Sequence, residues 1–244
     1  INHGSSGSIK SSETGFLDLP VKPKSEELHF NPRLAFGSHD DADHVYNTPR
    51  AWFMERYFNP DTSGWDGAEA EYHPCSDDIP WCRVPEKKIT VEDVKYVLSS
   101  HFQGTPYDPY ATYGDASMRG AYRSIGINRN DFMALFQIRP YGQKTSSVVE
   151  WIAMSSNVFN AAVPFYTNIN STPGYLSNTT EEVSTGSFYW TNRIIAALAD
   201  AHYGKCLVHI ERYQEAVQSQ GHAIINSYDK LLKTTGTPAE QTVL

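Results

Sequence analysis

The chain has 244 residues, of which 40% are hydrophobic, and it carries a formal net charge of −8 at pH 7. This acidic balance argues against a nucleic-acid partner, because proteins that bind nucleic acids usually present a basic face. No run of about 18 apolar residues is present, so no membrane span is predicted, and the length is sufficient for a packed core.

The sequence divides into a lead-in and a folded part. Residues 1–30 are predicted to be extended or disordered, because Pro20 and Pro23 forbid a long helix there. Residues 31–244 are predicted to belong to a single domain. A cytoplasmic location is expected, since the chain begins with a polar segment and shows no apolar signal region.

A helix is predicted over residues 48–58, where aromatic side chains recur until Asn59-Pro60. Pro49 suits the first turn of a helix, because the N–H group that proline lacks has no partner in that turn. The side chain of Asn47 or Thr48 is expected to cap this helix.

The next part of the chain is predicted to alternate between loops and one helix. Residues 59–89 show no hydrophobic period, and a loop of this length is typical of a functional segment or a lid. Thr90 is expected to cap a helix over residues 91–103, in which valine and leucine recur at helical spacing. Residues 104–130 are rich in glycine, proline and tyrosine and are predicted to be irregular.

Two apolar runs, at residues 132–139 and 147–155, are predicted to be strands that are buried on at least one face. Residues 141–144 provide a hairpin connection between them. The segment at 160–166 is expected at a sheet edge, because Pro164 cannot donate a hydrogen bond to a ladder.

The C-terminal part returns to a helical period. Helices are predicted over residues 187–202 and 206–233, with Gly204 as the break between them and Gly221 as a bend. The order of helices, strands and two further helices predicts an α+β fold in which antiparallel strands pack against helices.

Arg50 is the first candidate functional residue. It follows Pro49 in the first helical turn, where the helix dipole disfavours a cation, so another interaction is expected to hold it there. An active site that needs a fixed cation would provide this interaction, and so would a surface ion pair. The acidic stretch from His39 to His44 fits no known metal-binding spacing, and we interpret it as acidic residues that precede a helix.

Asn157 and Asn160 are candidate substrate-binding residues between two predicted strands. Their amides are suited to holding a peptide backbone or an oxyanion, although asparagine is also common in turns for local reasons. A tract of tyrosines and arginines offers a second candidate surface, either for loop packing or for contact with a ligand. Its members are Tyr107, Tyr110, Tyr113, Tyr122, Arg119, Arg123 and Arg129.

The three cysteines do not form a disulfide framework. Cys75 and Cys82 flank a short loop, and they are expected either to form a local disulfide or to remain thiols in a reducing compartment. His73 lies near them, but no second Cys-x-x-Cys pair supports a zinc site. Cys206 falls in a helical pattern and is predicted to be a small buried apolar group.

Several motifs together resemble one known family. The stretch from Tyr46 to Arg50, Tyr-Asn-Thr-Pro-Arg followed by aromatic residues, is similar to the core motif of bacterial cysteine dipeptidases, which are N-terminal-nucleophile hydrolases. The resemblance extends over residues 30–233. Further similar stretches lie at residues 85–89, 92–105, 123–129, 159–166 and 189–193.

The resemblance implies a four-layer αββα sandwich and the hydrolysis of dipeptides without a metal or other cofactor. The nucleophile of such enzymes is a cysteine at the start of the mature chain, and its own α-amino group acts as the base. Here Ile1 stands first and no cysteine precedes Cys75. The chain is therefore expected to be the C-terminal part of such an enzyme, inactive without its N-terminal half.

By the same resemblance, Arg50 is expected to support the nucleophile without being it. A sheet without its partner layer should expose an apolar face, which the N-terminal half or a second copy of the chain would cover. The alternative to a dipeptidase is a non-catalytic module that presents the tyrosine and arginine tract to a peptide or a glycan.

Overall fold

The computed structural model describes residues 10–11, 17–18, 35–38 and 40–235. The lead-in predicted over residues 1–30 therefore lies outside the described residues, apart from two short strands. None of the described helices is long and apolar enough to cross a membrane.

Contacts within the chain define two compact units. The smaller unit contains residues 1–89 and 120–123, and the larger unit contains residues 90–119 and 124–244. The prediction that residues 31–244 form a single domain stays a prediction.

The smaller unit begins with strands β1 (Lys10–Ser11) and β2 (Leu17–Asp18), which pair antiparallel. Two helices follow, α1 (Asp43–Tyr46) and α2 (Thr48–Phe58). The helix predicted over residues 48–58 is confirmed, with proline in its first turn.

The predicted cap of α2 is wrong, because the Asn47 side chain at the cap position makes no capping hydrogen bond and Thr48 is already the first residue of the helix. Asn47 has helical backbone angles and its side chain donates to Asp43 instead. The short helix α1, which the sequence did not predict, thus runs almost directly into α2.

The long loop at residues 59–89 contains no helix or strand, as predicted. Two buried indoles fix it, since the Trp52 N–H donates to the Tyr72 carbonyl at 3.2 Å and the Trp65 N–H donates to the Asn59 carbonyl at 2.8 Å. The carboxylate of Glu86 also accepts hydrogen bonds from the backbone of residues 61 and 62. The loop is therefore an ordered, packed segment of the smaller unit.

The described residues of the larger unit form one sheet, four α-helices and two short 3-10 helices (Ala116–Met118 and Lys144–Ser146). The strands are β3 (Phe132–Ile138), β4 (Val148–Met154) and β5 (Val163–Tyr166). The helices are α3 (Val91–Leu98), α4 (Gly174–Ser177), α5 (Phe188–Asp200) and α6 (Tyr203–Thr235). The predicted class, α+β with antiparallel strands and helices, is confirmed.

Helix α3 begins where the sequence predicted. Thr90 and Asp93 form a reciprocal capping box at its start. The helix is shorter than predicted, because it ends at Leu98 instead of residue 103. Phe102 has a φ of 66°, and this backbone conformation cannot continue a right-handed helix.

Helices α5 and α6 replace the two predicted C-terminal helices, but the predicted break is wrong. Helix α5 ends at Asp200 and α6 begins at Tyr203, so Gly204 lies in the first turn of α6. A helix tolerates glycine there, because its first turn makes few of the backbone hydrogen bonds. Helix α6 continues to Thr235, and Gly221 does not interrupt it.

The sheet has the order β3-β4-β5 with antiparallel pairing throughout. Trp151 lies opposite Leu135 of β3 and Pro164 of β5, so the proline is on an edge strand, as predicted. Around Trp151 the core contains Val91, Met133, Val149, Ala153, Ala162, Tyr166 and Ile225.

The opposite face of β3 is apolar and exposed. Phe132, Phe136 and Ile138 are 65%, 61% and 62% exposed, although all three belong to a regular strand. Side chains alternate between the two faces of a strand, so these residues share one face while Met133 points into the core. The expectation of an exposed apolar sheet face is confirmed.

Gly126 lies where the backbone of a loop touches the end of α3. Its N–H donates to the Ser100 carbonyl at 2.8 Å, and a Cβ atom added to it would stand 2.4 Å from the Ser99 carbonyl oxygen. Only glycine fits this approach without displacing the backbone.

We therefore expect Gly126→Ala to lower the free energy of unfolding by about 1–3 kcal/mol, the usual cost of overpacking. Gly174→Ala is the matched control, because a Cβ atom at Gly174 would meet nothing within 4 Å. Urea denaturation of both variants measures the effect. Equal stability of Gly126→Ala and wild type would contradict the close approach.

Candidate functional site

Arg50 lies in the first turn of α2 and is partly buried. Its Nε donates a hydrogen bond to the backbone carbonyl of Arg123 at 3.0 Å. Burial lowers the pKa of Arg50, and the positive charge of Arg123 lowers it further, while Tyr46 opposes this shift. A backbone hydrogen bond within the smaller unit is thus one of the interactions that hold this cation in the first helical turn.

Arg123 forms another part of the environment of Arg50. Its own N–H donates to the Val45 carbonyl at 2.9 Å, and its guanidinium group lies over the ring of Tyr46, 5.4 Å from the centroid. We call Tyr46, Arg50 and Arg123 the arginine cluster. Two guanidinium groups in one place favour an anion, and a carboxylate can bind such groups through paired hydrogen bonds.

A cavity of about 430 Å³ lies beside α1 and the start of α2. Four of its ten lining residues are aspartates, and the lining comprises Gly37, Ser38, Asp40, Asp41, Asp43, His44, Asn47, Thr48, Ala51 and Asp77. Asp43 occupies the first turn of α1, which agrees with the interpretation that these acids precede a helix. Within the described residues, no group of three or more His, Cys, Asp or Glu side chains is arranged to hold a metal.

All three cysteines are free thiols. Of the two alternatives for Cys75 and Cys82, a local disulfide or two thiols, the structure therefore shows the thiols. The Cys75 thiol is 3.3 Å from the Tyr122 hydroxyl. Burial raises the pKa of Cys82, and the nearby carboxylate of Glu55 raises it further. A raised pKa reduces the thiolate fraction, so Cys82 is poorly suited to be a nucleophile. Cys206 is partly buried against the helical core of the larger unit.

Asn157 and Asn160 lie in the segment that joins β4 to β5, which we call the 155–160 loop. Asn160 is 1% exposed, and its side-chain NH₂ donates to the carbonyls of Met154 at 2.7 Å and Ser155 at 3.1 Å. Both of its donors are therefore in use. The Oδ1 atoms of Asn157 and Asn160 are buried and have no hydrogen-bond partner within the described residues.

The backbone of the 155–160 loop is fixed at both ends. Ser155 donates from its N–H to the Asp131 carbonyl at 2.6 Å and has a φ of 73°, which is unusual for a residue other than glycine. Gln214 of α6 donates through Nε2 to the carbonyls of Val158 and Asn160, both at 2.9 Å. Strained, over-determined backbone of this kind is often found at functional sites.

Lys95 of α3 holds the middle of the same loop. Its Nζ donates to the Asn157 carbonyl at 2.6 Å and to the Ser99 hydroxyl at 2.8 Å. The residue is buried, and burial lowers its pKa to about 7. Lys95 was not predicted as a site residue, although its position four residues after Val91 places it on the apolar side of the helix.

A second buried polar group was also missed. His101 Nδ1 is 2.9 Å from the Asp108 carboxylate, and its Nε2 is 2.9 Å from the Tyr203 hydroxyl. The ring of Tyr110 stacks on that of Tyr203, with 3.9 Å between the centroids. This group joins the loop after α3 to the start of α6, and we interpret it as structural.

Three members of the tyrosine and arginine tract are held by contacts within the chain, whereas Tyr113 and Arg129 are exposed. Tyr110 is stacked and bonded to Asp200, and Arg119 donates to the carbonyls of residues 113 and 114. Arg123 belongs to the arginine cluster. For Tyr110, Arg119 and Arg123 these contacts favour loop packing over contact with a ligand.

Comparison with known proteins identifies the class of the chain. The chain belongs to peptidase family C69, a family of cysteine peptidases, whose profile matches residues 11–216.

Individual relatives come from bacteria. The chain is 51% identical over 229 residues to a dipeptidase of Bifidobacterium longum (strain NCC 2705), which covers 94% of this chain and 42% of the relative. It is 47% identical to a probable dipeptidase A of Streptococcus pyogenes serotype M18 and 34% identical to dipeptidase A of Lactobacillus helveticus. These two matches cover 90% and 87% of this chain and 44% of each relative. The chain thus spans less than half the length of these relatives.

The lowered pKa of Lys95 predicts how stability depends on pH. In the unfolded chain the Lys95 amine keeps its proton up to about pH 10, whereas in the folded chain it releases the proton near pH 7. Because the unfolded state binds more protons in this window, the Lys95 contribution to stability rises as the pH increases from about 7 to 10.

We expect the free energy of unfolding of wild type, relative to Lys95→Met, to rise by up to about 1.4 kcal/mol per pH unit in this window. The measurement is urea denaturation at several pH values. Lys205→Met is the control, because Lys205 is exposed and its removal should leave the slope unchanged. Identical slopes for wild type and Lys95→Met would show that Lys95 keeps an ordinary pKa.

Proposed function

We propose that the chain is part of a dipeptidase that hydrolyses the peptide amide with an N-terminal cysteine nucleophile located outside these 244 residues. The observation that carries this proposal is the similarity to proteins named dipeptidases, which covers up to 94% of the chain at 51% identity. Membership of a cysteine peptidase family supports the same chemistry. A thiolate and an α-amino group supply nucleophile and base, so no metal or other cofactor is needed.

We propose further that the sheet is one layer of an αββα sandwich of the N-terminal-nucleophile type. The exposed apolar face of Phe132, Phe136 and Ile138 supports this, since such a face is usually covered by another layer. The N-terminal half of the same protein would provide that layer. A second copy of the chain, in a homo-oligomer, is the other possible cover.

Arg50 is proposed to have a supporting role in catalysis. A fixed guanidinium group near the cysteine would stabilise the thiolate, and it would bind a substrate carboxylate through two hydrogen bonds. The hydrogen bond to the Arg123 carbonyl and the partial burial of Arg50 support this role, because both fix the position of the group.

Asn157 and Asn160 are proposed to contact the dipeptide through their side-chain oxygens. Their Oδ1 atoms are buried without a partner in the described part of the chain, and such atoms usually receive a hydrogen bond from water or a ligand. A dipeptide offers N–H donors at its amino group and at its peptide bond. Asn160 is unsuited to an oxyanion hole, because its own donors are bonded to backbone carbonyls.

A cytoplasmic location is proposed on the basis of the free thiols. Cys75 and Cys82 are separated by only six residues and remain unbonded, which is the usual state of cysteines in a reducing compartment.

The first test uses the 244-residue chain without additional protein. We expect it to be inactive towards dipeptides, because only a thiolate-bearing species attacks the amide in this mechanism. Release of free amino acids from L-alanyl-L-alanine measures activity. Hydrolysis that Cys75→Ala abolishes would disprove the proposal of a nucleophile outside the chain, and Cys206→Ala serves as control.

The alternative, a non-catalytic module that binds a peptide or a glycan, predicts a different coding sequence upstream of Ile1. An open reading frame that continues upstream of Ile1 and contains an early cysteine codon supports the dipeptidase. A native start codon near Ile1 supports the module.

The second test concerns Arg50 in the full-length enzyme. We expect Arg50→Lys to lower kcat by about 10- to 1,000-fold, which corresponds to about 1.4–4 kcal/mol, because lysine keeps the charge but loses the planar fork. Thermal melting of the same variant should be nearly unchanged. Arg56→Lys is a matched control on the same helix, since Arg56 pairs with the exposed Asp66. Wild-type turnover of Arg50→Lys would remove Arg50 from the active site.

A further inference from the structure

The position of Lys95 is unusual for a lysine. The side chain is only 7% exposed, and no carboxylate within the described residues forms an ion pair with it. Its Nζ instead donates to one hydroxyl and one backbone carbonyl. A buried amine without a counter-ion is costly, so an apolar side chain at this position would serve the core of the unit better.

Lys95 binds the backbone carbonyl of Asn157, a residue whose side chain also carries an acceptor atom. Asn157 O receives the Lys95 hydrogen bond at 2.6 Å, while Asn157 Oδ1 is buried without a partner among the described residues. The flanking parts of the 155–160 loop are held by other groups, Asp131 on one side and Gln214 on the other. Lys95 therefore fixes the part of the loop that these contacts leave unsupported.

We infer that Lys95 is a positioning residue, which orients the Asn157 side chain towards the dipeptide by fixing the Asn157 backbone carbonyl. This inference rests on the proposed function, because that proposal assigns the substrate contact to Asn157. Lys95 itself touches no substrate. A displacement of about 1 Å in a group that orients a substrate can cost about 100-fold in rate, so a single anchoring hydrogen bond has a measurable effect.

The test is a double-mutant cycle on kcat/KM for L-alanyl-L-alanine in the full-length enzyme. We expect Lys95→Met and Asn157→Ala each to lower kcat/KM by about 10- to 100-fold. If Lys95 acts through Asn157, adding Lys95→Met to Asn157→Ala lowers kcat/KM by less than about threefold more. Lys205→Met, an exposed lysine on α6, should behave as wild type.

A merely structural role gives a different result. In that case the Lys95→Met effect multiplies with that of Asn157→Ala, and the inference is overturned. Normal kinetics of Lys95→Met beside a slow Asn157→Ala also overturns it and leaves the proposed function intact. Normal kinetics of Asn157→Ala removes the substrate role of that residue, and the inference with it.

A spectroscopic readout separates positioning from stability. The side-chain amide resonances of Asn157, assigned by comparison with Asn157→Ala, should shift in Lys95→Met and remain unchanged in Lys205→Met. If Lys95→Met does not fold, Lys95→Gln takes its place, since glutamine keeps an N–H donor on a shorter side chain. The Lys95→Gln enzyme should then have a kcat/KM between those of wild type and Asn157→Ala. Unshifted Asn157 resonances in a folded Lys95 variant would contradict the inference.

Discussion

The close approach of α6 to the sheet is the constraint on which the larger unit depends. Gly221 has no side chain, and a Cβ atom there would stand 3.0 Å from Pro164 and 3.1 Å from the ring of Trp151. The indole of Trp151 is fully buried in consequence, and the helix can lie directly on β4 and β5. Asp229, two turns further along α6, then pairs with Arg139 at 2.6 Å and accepts from the Tyr166 hydroxyl at 2.9 Å. These contacts fix the start of β4, because Val148 lies opposite Ile138 and Val149 lies opposite Tyr166.

Local patterns in the sequence predicted most of the regular elements. Helix α2, strands β3 and β4 and the edge position of Pro164 follow from period and from the chemistry of proline, which act over a few neighbouring residues. Gly204 was misinterpreted as a helix break for the opposite reason. A glycine in isolation indicates a break, whereas Gly204 lies in the first turn of α6, where a helix tolerates glycine. The close contact at Gly221 was not predictable from local sequence, because Pro164 and Trp151 belong to other elements.

The candidate site was predictable only in part. Arg50 could be found because its position in a first helical turn conflicts with the helix dipole, and such local conflicts mark functional or tertiary constraints. The state of Asn160 could not be predicted, since its donors bind carbonyls that only the folded loop brings near. Lys95 lies on an apolar helical stripe, which is a local conflict of the same kind, but its partner Asn157 is 62 residues away in the sequence.

Buried polar groups in this chain contribute specificity of conformation at a cost in stability. An apolar residue in place of Lys95 would avoid the desolvation that lowers the pKa of the amine, and yet it would leave the Asn157 carbonyl without a donor. Asn160 combines a fixed conformation with a similar cost. Both of its side-chain N–H groups donate to carbonyls at the end of β4, those of Met154 and Ser155, while its Oδ1 atom has no partner in the described residues. Groups that cost stability and fix one loop are expected where the geometry of that loop matters to a ligand. The 155–160 loop therefore supports a substrate-binding role in this unit more strongly than the larger apolar surfaces do.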